Sequence, residues 1–213
     1  MFHPRDCMSD RIRKVILERI CDGTYVAGQR LVELQIAREF DTSQAPIREA
    51  LCELEAMRIV ETQPYKGTRV RQISSQELEE CLQIRGVLEE LAANQVEERL
   101  LGKIDLLREK ALETVDSAKQ GDARRYGYAN IEFHRMIVEA SQNQTIMMVW
   151  NMLTPEVRML ASARAHVDKL EEGAHEHLEI VDAFAEGDNR FAGKLLKIHT
   201  EKVLVHNFKK EPV

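Results

Sequence analysis

The sequence predicts a mainly α-helical chain in two parts: three short helices closed by a β-hairpin, then an all-α antiparallel bundle of six or seven helices. Two observations predict it. Residues 11–71 carry three amphipathic helical patterns and then two strand-like runs around a Pro/Gly turn. From Ser74 onward only helical periodicity recurs, without strand candidates or internal repeats. The junction is expected within Gln72–Ser75, giving domains of residues 1–72 and 73–213.

In the first part, Ile12, Val15, Ile16 and Ile20 lie at helical spacing, and Asp22-Gly23-Thr24 stops that helix. A second helix fits Glu33 to Phe40 and breaks at Asp41-Thr42-Ser43. A third runs from about Gln44 to Met57, with Ile47, Ala50, Leu51 and Leu54 facing inward. Ser43 is the expected N-cap, and Pro46 stands in the first turn, where no backbone N–H is required. Residues 59–62 and 68–71 then read as two strands around Pro64-Tyr65-Lys66-Gly67. Three helices and a hairpin, with a short break between the second and third helices, outline a winged helix-turn-helix.

The second part opens with Ser74 and Glu77 as a capping box. Leu78, Cys81, Leu82, Arg85, Leu88 and Ala92 form a first stripe. Ile104, Leu107, Ala111, Val115 and Ala118 form the next, ended by Gly121. Tyr126, Asn130, Phe133, His134 and Ile137 form a third, ended near Asn143. Further helices fit residues 146–153, 155–163, 169–185 and 189–208.

Bulk properties narrow the function. At 44% hydrophobic and 31% charged residues the chain has ordinary globular composition. No apolar run approaches the roughly 20 residues of a membrane span, and Met1 to Asp10 lack a signal-peptide core, so a cytoplasmic protein with no membrane partner is expected. Cys7, Cys21, Cys52 and Cys81 form no C-x-x-C pair and are expected to be free and mostly buried. The net charge of -6 is uneven. Residues 1–74 hold 12 basic and 11 acidic side chains, the remainder 18 and 25, so the first part can still present a basic face to phosphate.

That first part has the residues to read double-stranded DNA. Gln44 and Arg48, four apart, share the helix face opposite Ile47, Leu51 and Leu54. At a recognition-helix N-terminus, Gln pairs with adenine and Arg with guanine in the major groove. Thr42 and Ser43 are placed for phosphate, aided by free backbone N–H groups. Arg38 is expected to reach the DNA backbone, and Lys66, Gly67 and Arg69 to bring the wing to the minor groove. The stretch Gly23-x-Tyr25-x-x-Gly28-x-x-Leu31, then Ala37-x-x-Phe40-x-x-Ser43-x-x-Pro46-Ile47-Arg48-Glu49-Ala50-Leu51-x-x-Leu54, then Val60 and Gly67-x-x-Val70, resembles the DNA-binding domain of the GntR family of bacterial regulators. Two positions depart from that pattern: the family often has Arg at Gln44 and Gly at Arg58. Arg58 is expected to help cap the helix dipole there.

The second part has the residues of a sensor. Asn130 and His134 project from one inward helix face. His177 lies on a stripe with Leu170, Leu178, Val181 and Phe184, and His199 on one with Leu195, Leu196 and Val203. One core histidine is usually just hydrogen-bonded; three on separate core faces, plus an amide oxygen, point to a divalent metal, zinc or nickel foremost. His175 turns to the opposite side of its helix, and His3, His166 and His206 are expected to be exposed. Arg85 on an apolar stripe needs an anion, either Glu89 at i+4 or a carboxylate effector.

Arg85-x-x-x-Glu89, Asn130-x-x-Phe133-His134, Glu176-His177 followed by Gly187-Asp188, and His199 are similar to the C-terminal effector domain (FCD) of the FadR-type subfamily of GntR regulators. The resemblance implies a homodimer, a near-palindromic operator and an organic-acid or sugar-acid effector. Metal-binding members commonly have Asp where this chain has Asn130. Together these features predict a transcription regulator, a repressor by expectation, rather than an enzyme. The rivals are a metal-dependent enzyme or a purely structural dimerisation domain attached to the DNA-binding module.

Overall fold

The computed structural model describes residues 7–96, 101–153 and 155–208. The chain divides into two compact units, Met1–Ile73 and Ser74–Val213.

The first unit runs α1 (Met8–Cys21), β1 (Arg30–Leu31), α2 (Glu33–Glu39), α3 (Gln44–Ala56), β2 (Val60–Gln63) and β3 (Gly67–Val70). The winged helix-turn-helix is therefore present, with a strand the periodicity did not reveal. β1 pairs antiparallel with β3, Arg30 opposite Arg69, and the sheet order is β1-β3-β2. Ile12 and Ile16 of α1, Ile47 and Leu54 of α3, and Val60 and Val70 of the sheet fill the core.

The two breaks that shape the motif share one device. α2 and α3 both end with a residue in the left-handed conformation, Asp41 (φ 48°) and Arg58 (φ 58°). At each, two consecutive amides fold back onto helix carbonyls. The N–H of Thr42 donates to Ala37 and that of Asp41 to Arg38; the N–H of Ile59 donates to Leu54 and that of Arg58 to Glu55. This double closure is the reason glycine is favoured at such a position. Arg58 thus ends α3 by its backbone, a strained role that the dipole expectation did not anticipate, and its carbonyl accepts from Arg71 Nη1 at 2.8 Å.

The second unit contains seven α-helices among the described residues: α4 (Ser75–Ala93), α5 (Ile104–Lys119), α6 (Ala123–Ala140), α7 (Gln144–Met152), α8 (Pro155–Ala165), α9 (Leu170–Ala185) and α10 (Asn189–Phe208). Side-chain caps set three starts. Ser74 accepts from the Glu77 N–H, Asp122 from that of Arg125, and Asn143 from those of Thr145 and Ile146. α4 and α10 run antiparallel in close contact, since Gly86 faces Lys197 and Thr200 while Gly193 faces Glu90 and Ala93. α5 packs on α6 and α9, and α6 also on α8. At the last contact a Cβ on Gly127 would meet Leu160 at 2.4 Å, so glycine is what lets α8 approach. The core joins Leu107 and Ala111 of α5, Phe133 and Ile137 of α6, Phe184 of α9 and Leu196 of α10.

No helix among the described residues is long and apolar enough to cross a membrane. The cysteines are free, but only Cys21 is buried; Cys7 and Cys52 are exposed and Cys81 is half-buried, contrary to expectation.

Candidate metal centre and DNA-reading surface

The core faces of α6, α9 and α10 bring three imidazoles to one point. One ring nitrogen from each of His134, His177 and His199 lies within 4.8 Å of the others. The ring centroids of His134 and His199 are 5.4 Å apart, those of His177 and His199 4.6 Å. Exposure is 0%, 0% and 3% respectively.

Two rings are hydrogen-bonded from behind through Nδ1, and the third has a carboxylate against its Nδ1. His177 Nδ1 is 3.1 Å from Thr114 Oγ1, and that hydroxyl gives its single proton to the Ala111 carbonyl at 2.7 Å. Thr114 can therefore only accept from His177, which fixes the proton on Nδ1 and leaves Nε2 with its lone pair. His199 Nδ1 is 2.7 Å from Glu176 Oε2, an acceptor only, with the same result. His134 Nδ1 is 2.9 Å from Glu89 Oε2. The Nε2 atoms of His134 and His177 and the Oδ1 of Asn130 are buried without a hydrogen-bond partner, and so are His134 Nδ1 and Glu89 Oε2, which approach closely without hydrogen-bond alignment. Leaving such groups unpaired in a dry core is costly. Lone pairs converging in front, with carboxylate or hydroxyl partners behind, is the arrangement a metal-binding histidine set requires. The residues therefore fit a divalent cation.

The electrostatics agree. Burial dominates at His134 and lowers its pKa to about 4 despite Glu89. Burial, with the neighbouring imidazoles, holds His177 well below its usual range. Both are neutral at pH 7, the form that ligates metal. Burial alone would raise Glu89, but the Arg85 guanidinium, His134 and the Trp150 hydrogen bond outweigh it and hold the carboxyl at about 2. Burial likewise opposes ionisation of Glu176, and hydrogen bonds from His199 and Lys202 lower its pKa nonetheless.

Arg85 Nε is 3.0 Å from Glu89 Oε1, so the salt bridge weighed from the sequence exists. Arg85 also lines a cavity of about 90 Å³ together with Asn130, His199, Tyr126, Arg158 and Lys202. The two readings of Arg85 are thus compatible. Thr114, Glu89 as a histidine partner, and Glu176 in that role were missed. His175 is exposed, while His166 is half-buried and lines the cavity, which corrects the expectation for it. His3 lies outside the described residues, as does the side chain of His206.

On the first unit, Gln44 and Arg48 do share a face of α3. Arg48 donates from Nη2 to Gln44 Oε1 at 3.3 Å, and its Nε to Glu33 Oε2 at 2.7 Å. Ser43 occupies the N-cap position without a side-chain cap hydrogen bond. Arg38 and Lys66 are exposed. Two expectations change. The Thr42 amide is already bonded to Ala37, so it is not a free N–H. Arg69 Nη1 donates to the Gly28 carbonyl at 2.9 Å, tying β3 to the loop before β1. The sequence reading also missed exposed Arg30, whose guanidinium fills the space over Gly67: a Cβ there would lie 3.3 Å from Arg30 Nε. A basic residue in a two-residue strand gives no periodic signal.

Residues 8–70 match the bacterial regulatory proteins of the gntR family, and residues 80–202 match the FCD domain. The chain is 33% identical over 207 residues to a probable D-xylose utilization operon transcriptional repressor of Paenarthrobacter nicotinovorans, covering 94% of this chain and 88% of that protein. The chain belongs to the gntR family of bacterial regulatory proteins. It is also 32% identical over 180 residues to the gluconate operon transcriptional repressor of Bacillus subtilis (strain 168), covering 81% and 70% of the two chains. The solved structure of a putative GntR regulator from Rhodococcus sp. RHA1 matches 96% of this chain and 99% of its own, with 25% identity and a TM-score of 0.79. The histidine centre lies within the FCD match, and Gln44, Arg48 and the wing within the gntR match.

Proposed function

We propose that this gntR-family regulator is a transcriptional repressor whose operator affinity is set by a carboxylate effector bound in the FCD cavity beside a divalent metal. Residues 1–72 read DNA and residues 73–213 sense. The observation that carries the proposal is the histidine centre: three buried imidazoles, each with a hydroxyl or carboxylate against its Nδ1, converge on one point. Asn130, His134, His177 and His199 hold the metal, zinc or nickel by the softness of their nitrogen donors. Bound there, the metal adds fixed positive charge at the end of the cavity. With the neutral Asn130 in place of a carboxylate, nothing in the ligand set offsets that charge. Arg85 adds a guanidinium to the same cavity, so the site selects anions. A sugar acid fits this chemistry, and two relatives are named for a gluconate operon.

On DNA, Gln44 and Arg48 read bases from α3, Arg38, Thr42 and Ser43 grip phosphate, and Lys66, Gly67 and Arg69 place the wing. Arg30 joins the wing from β1. The chain acts as a homodimer on a near-palindromic operator. Ile84, Val87 and Leu91 support this: spaced i, i+3 and i+7 on α4, they leave an apolar stripe about half exposed on the FCD unit.

The deciding experiment measures metal content and DNA affinity together. About one zinc or nickel per chain, and weaker binding to a selected operator duplex when gluconate is added to the loaded protein, is the expected result. Operator binding indifferent to metal and to a panel of sugar acids would overturn the sensing role.

A further inference from the structure

Three side chains hold the centre from behind, and they are not equivalent. Thr114 is fixed by its own bond to Ala111. Glu176 is half-buried, and its second oxygen meets exposed Lys202, which can swing away. Glu89 is fully buried among donors: Trp150 Nε1 donates to Oε1 at 3.0 Å, and Arg85 Nε at 3.0 Å from the same oxygen and His134 Nδ1 at 2.9 Å from Oε2 are close ion-pair contacts without hydrogen-bond alignment.

We infer that Glu89 is the positioning residue of the metal centre, the group that keeps the His134 proton on Nδ1 and so keeps Nε2 a lone-pair donor. This rests on the metal-centre reading above. Indole and guanidinium are donors under all conditions, so the oxygen they share must remain an acceptor. Only the other oxygen faces His134. As a carboxylate oxygen it accepts, and the imidazole must donate from Nδ1. An isosteric amide breaks this logic. In Glu89→Gln the single carbonyl must stay toward Trp150 and Arg85, because turning the NH2 group to them would oppose donor to donor. The NH2 then faces His134 Nδ1, which must accept. The imidazole proton moves to Nε2, and the lone pair needed for metal is lost. Glu176→Gln has no such trap: its carbonyl can face His199 while Lys202 turns to solvent.

The test uses full-length protein stripped of metal and labelled with 15N in its histidines. At pH 7.5, His134 signals, identified by their loss in His134→Ala, are expected to report a proton on Nδ1. A proton on Nε2 in the wild type would overturn the assignment, whether or not any variant folds. Ni2+ affinity is then measured by competition with a chromogenic chelator. Glu89→Gln is expected to lose about 100-fold, the upper end for partners of metal-bound histidines, and Glu176→Gln about tenfold or less. A folded Glu89→Gln protein that keeps the Nδ1 proton and wild-type Ni2+ affinity refutes the inference. A wild type that takes up no Ni2+ would overturn the metal reading instead, since the metal-free spectrum decides the tautomer alone.

Discussion

The Gln44/Arg48 face of α3 and the histidine centre are both built from polar side chains, yet they treat them in opposite ways. Arg48 is exposed and parks on Glu33 and Gln44 of its own unit. Water can replace either partner at little cost, so Arg48 can trade them for a base. The histidines have no such freedom. Their Nδ1 atoms are committed to Thr114, Glu89 and Glu176, and no water reaches the Nε2 of His134 or His177. A surface that must search many sequences keeps exchangeable partners. A site built to hold one ion would keep none, and would store the resulting cost until a ligand relieved it.

The largest expected effect tests that stored cost. His177→Ala should abolish stoichiometric metal binding, lowering affinity by more than about 100-fold, while circular dichroism reports an intact bundle. Metal content unchanged by this variant would remove His177 from the centre. Next, Arg48→Ala should weaken the selected operator by roughly 10- to 100-fold, about the value of one bidentate base contact, and leave non-specific binding nearly unchanged. An equal loss on both DNAs would make Arg48 a phosphate contact and erase the contrast between the two regions.

Acid should separate the two regions as well. His134, with its pKa lowered to about 4, stays neutral in the fold, whereas the unfolded chain takes up that proton below about 6.5. Its contribution is complete above pH 6.5 and is lost as the pH falls toward 4; His177 acts in the same direction. Glu89 withdraws its own contribution lower down, between about 4.5 and 2. Trp150, the single tryptophan, is buried beside Glu89 and reports on the FCD unit. Urea midpoints of the metal-free protein followed by its fluorescence should fall from pH 7.5 to pH 5. A flat profile would mean the imidazoles are not buried neutral.

The smallest effect concerns Arg58. Its left-handed backbone costs about 1–2 kcal/mol, against about 0.5–1 kcal/mol of added chain entropy for glycine. Arg58→Gly should therefore stabilise the first unit by about 0.5–1 kcal/mol in chemical denaturation. Destabilisation would mean its side chain contributes more than the strained backbone costs.

Much of this architecture was legible because burial leaves a period. Each helix of the bundle announced itself by a stripe, and the three histidines and Asn130 were visible because each interrupts one. What supports them was not. Thr114, Glu89 and Glu176 stand on α5, α4 and α9, while the rings they hold are on α9, α6 and α10. Only packing between helices creates those pairs. Strand β1 was hidden for a similar reason: two residues carry no alternation, and its partner β3 lies far along the chain. Arg58 could have been read from the family preference for glycine at that position, since glycine there signals a left-handed backbone.

The depth of the histidine centre has a kinetic consequence. With two imidazoles fully buried and the third 3% exposed, an ion bound at this centre would have a doorway in the cavity where Asn130 and His199 stand at the wall. Anything seated in that cavity also bars the door. The residence time of a metal bound there would be governed by cavity occupancy and by opening of the bundle, and not by free metal outside. An ion held this deeply would outlast a passing shortage outside.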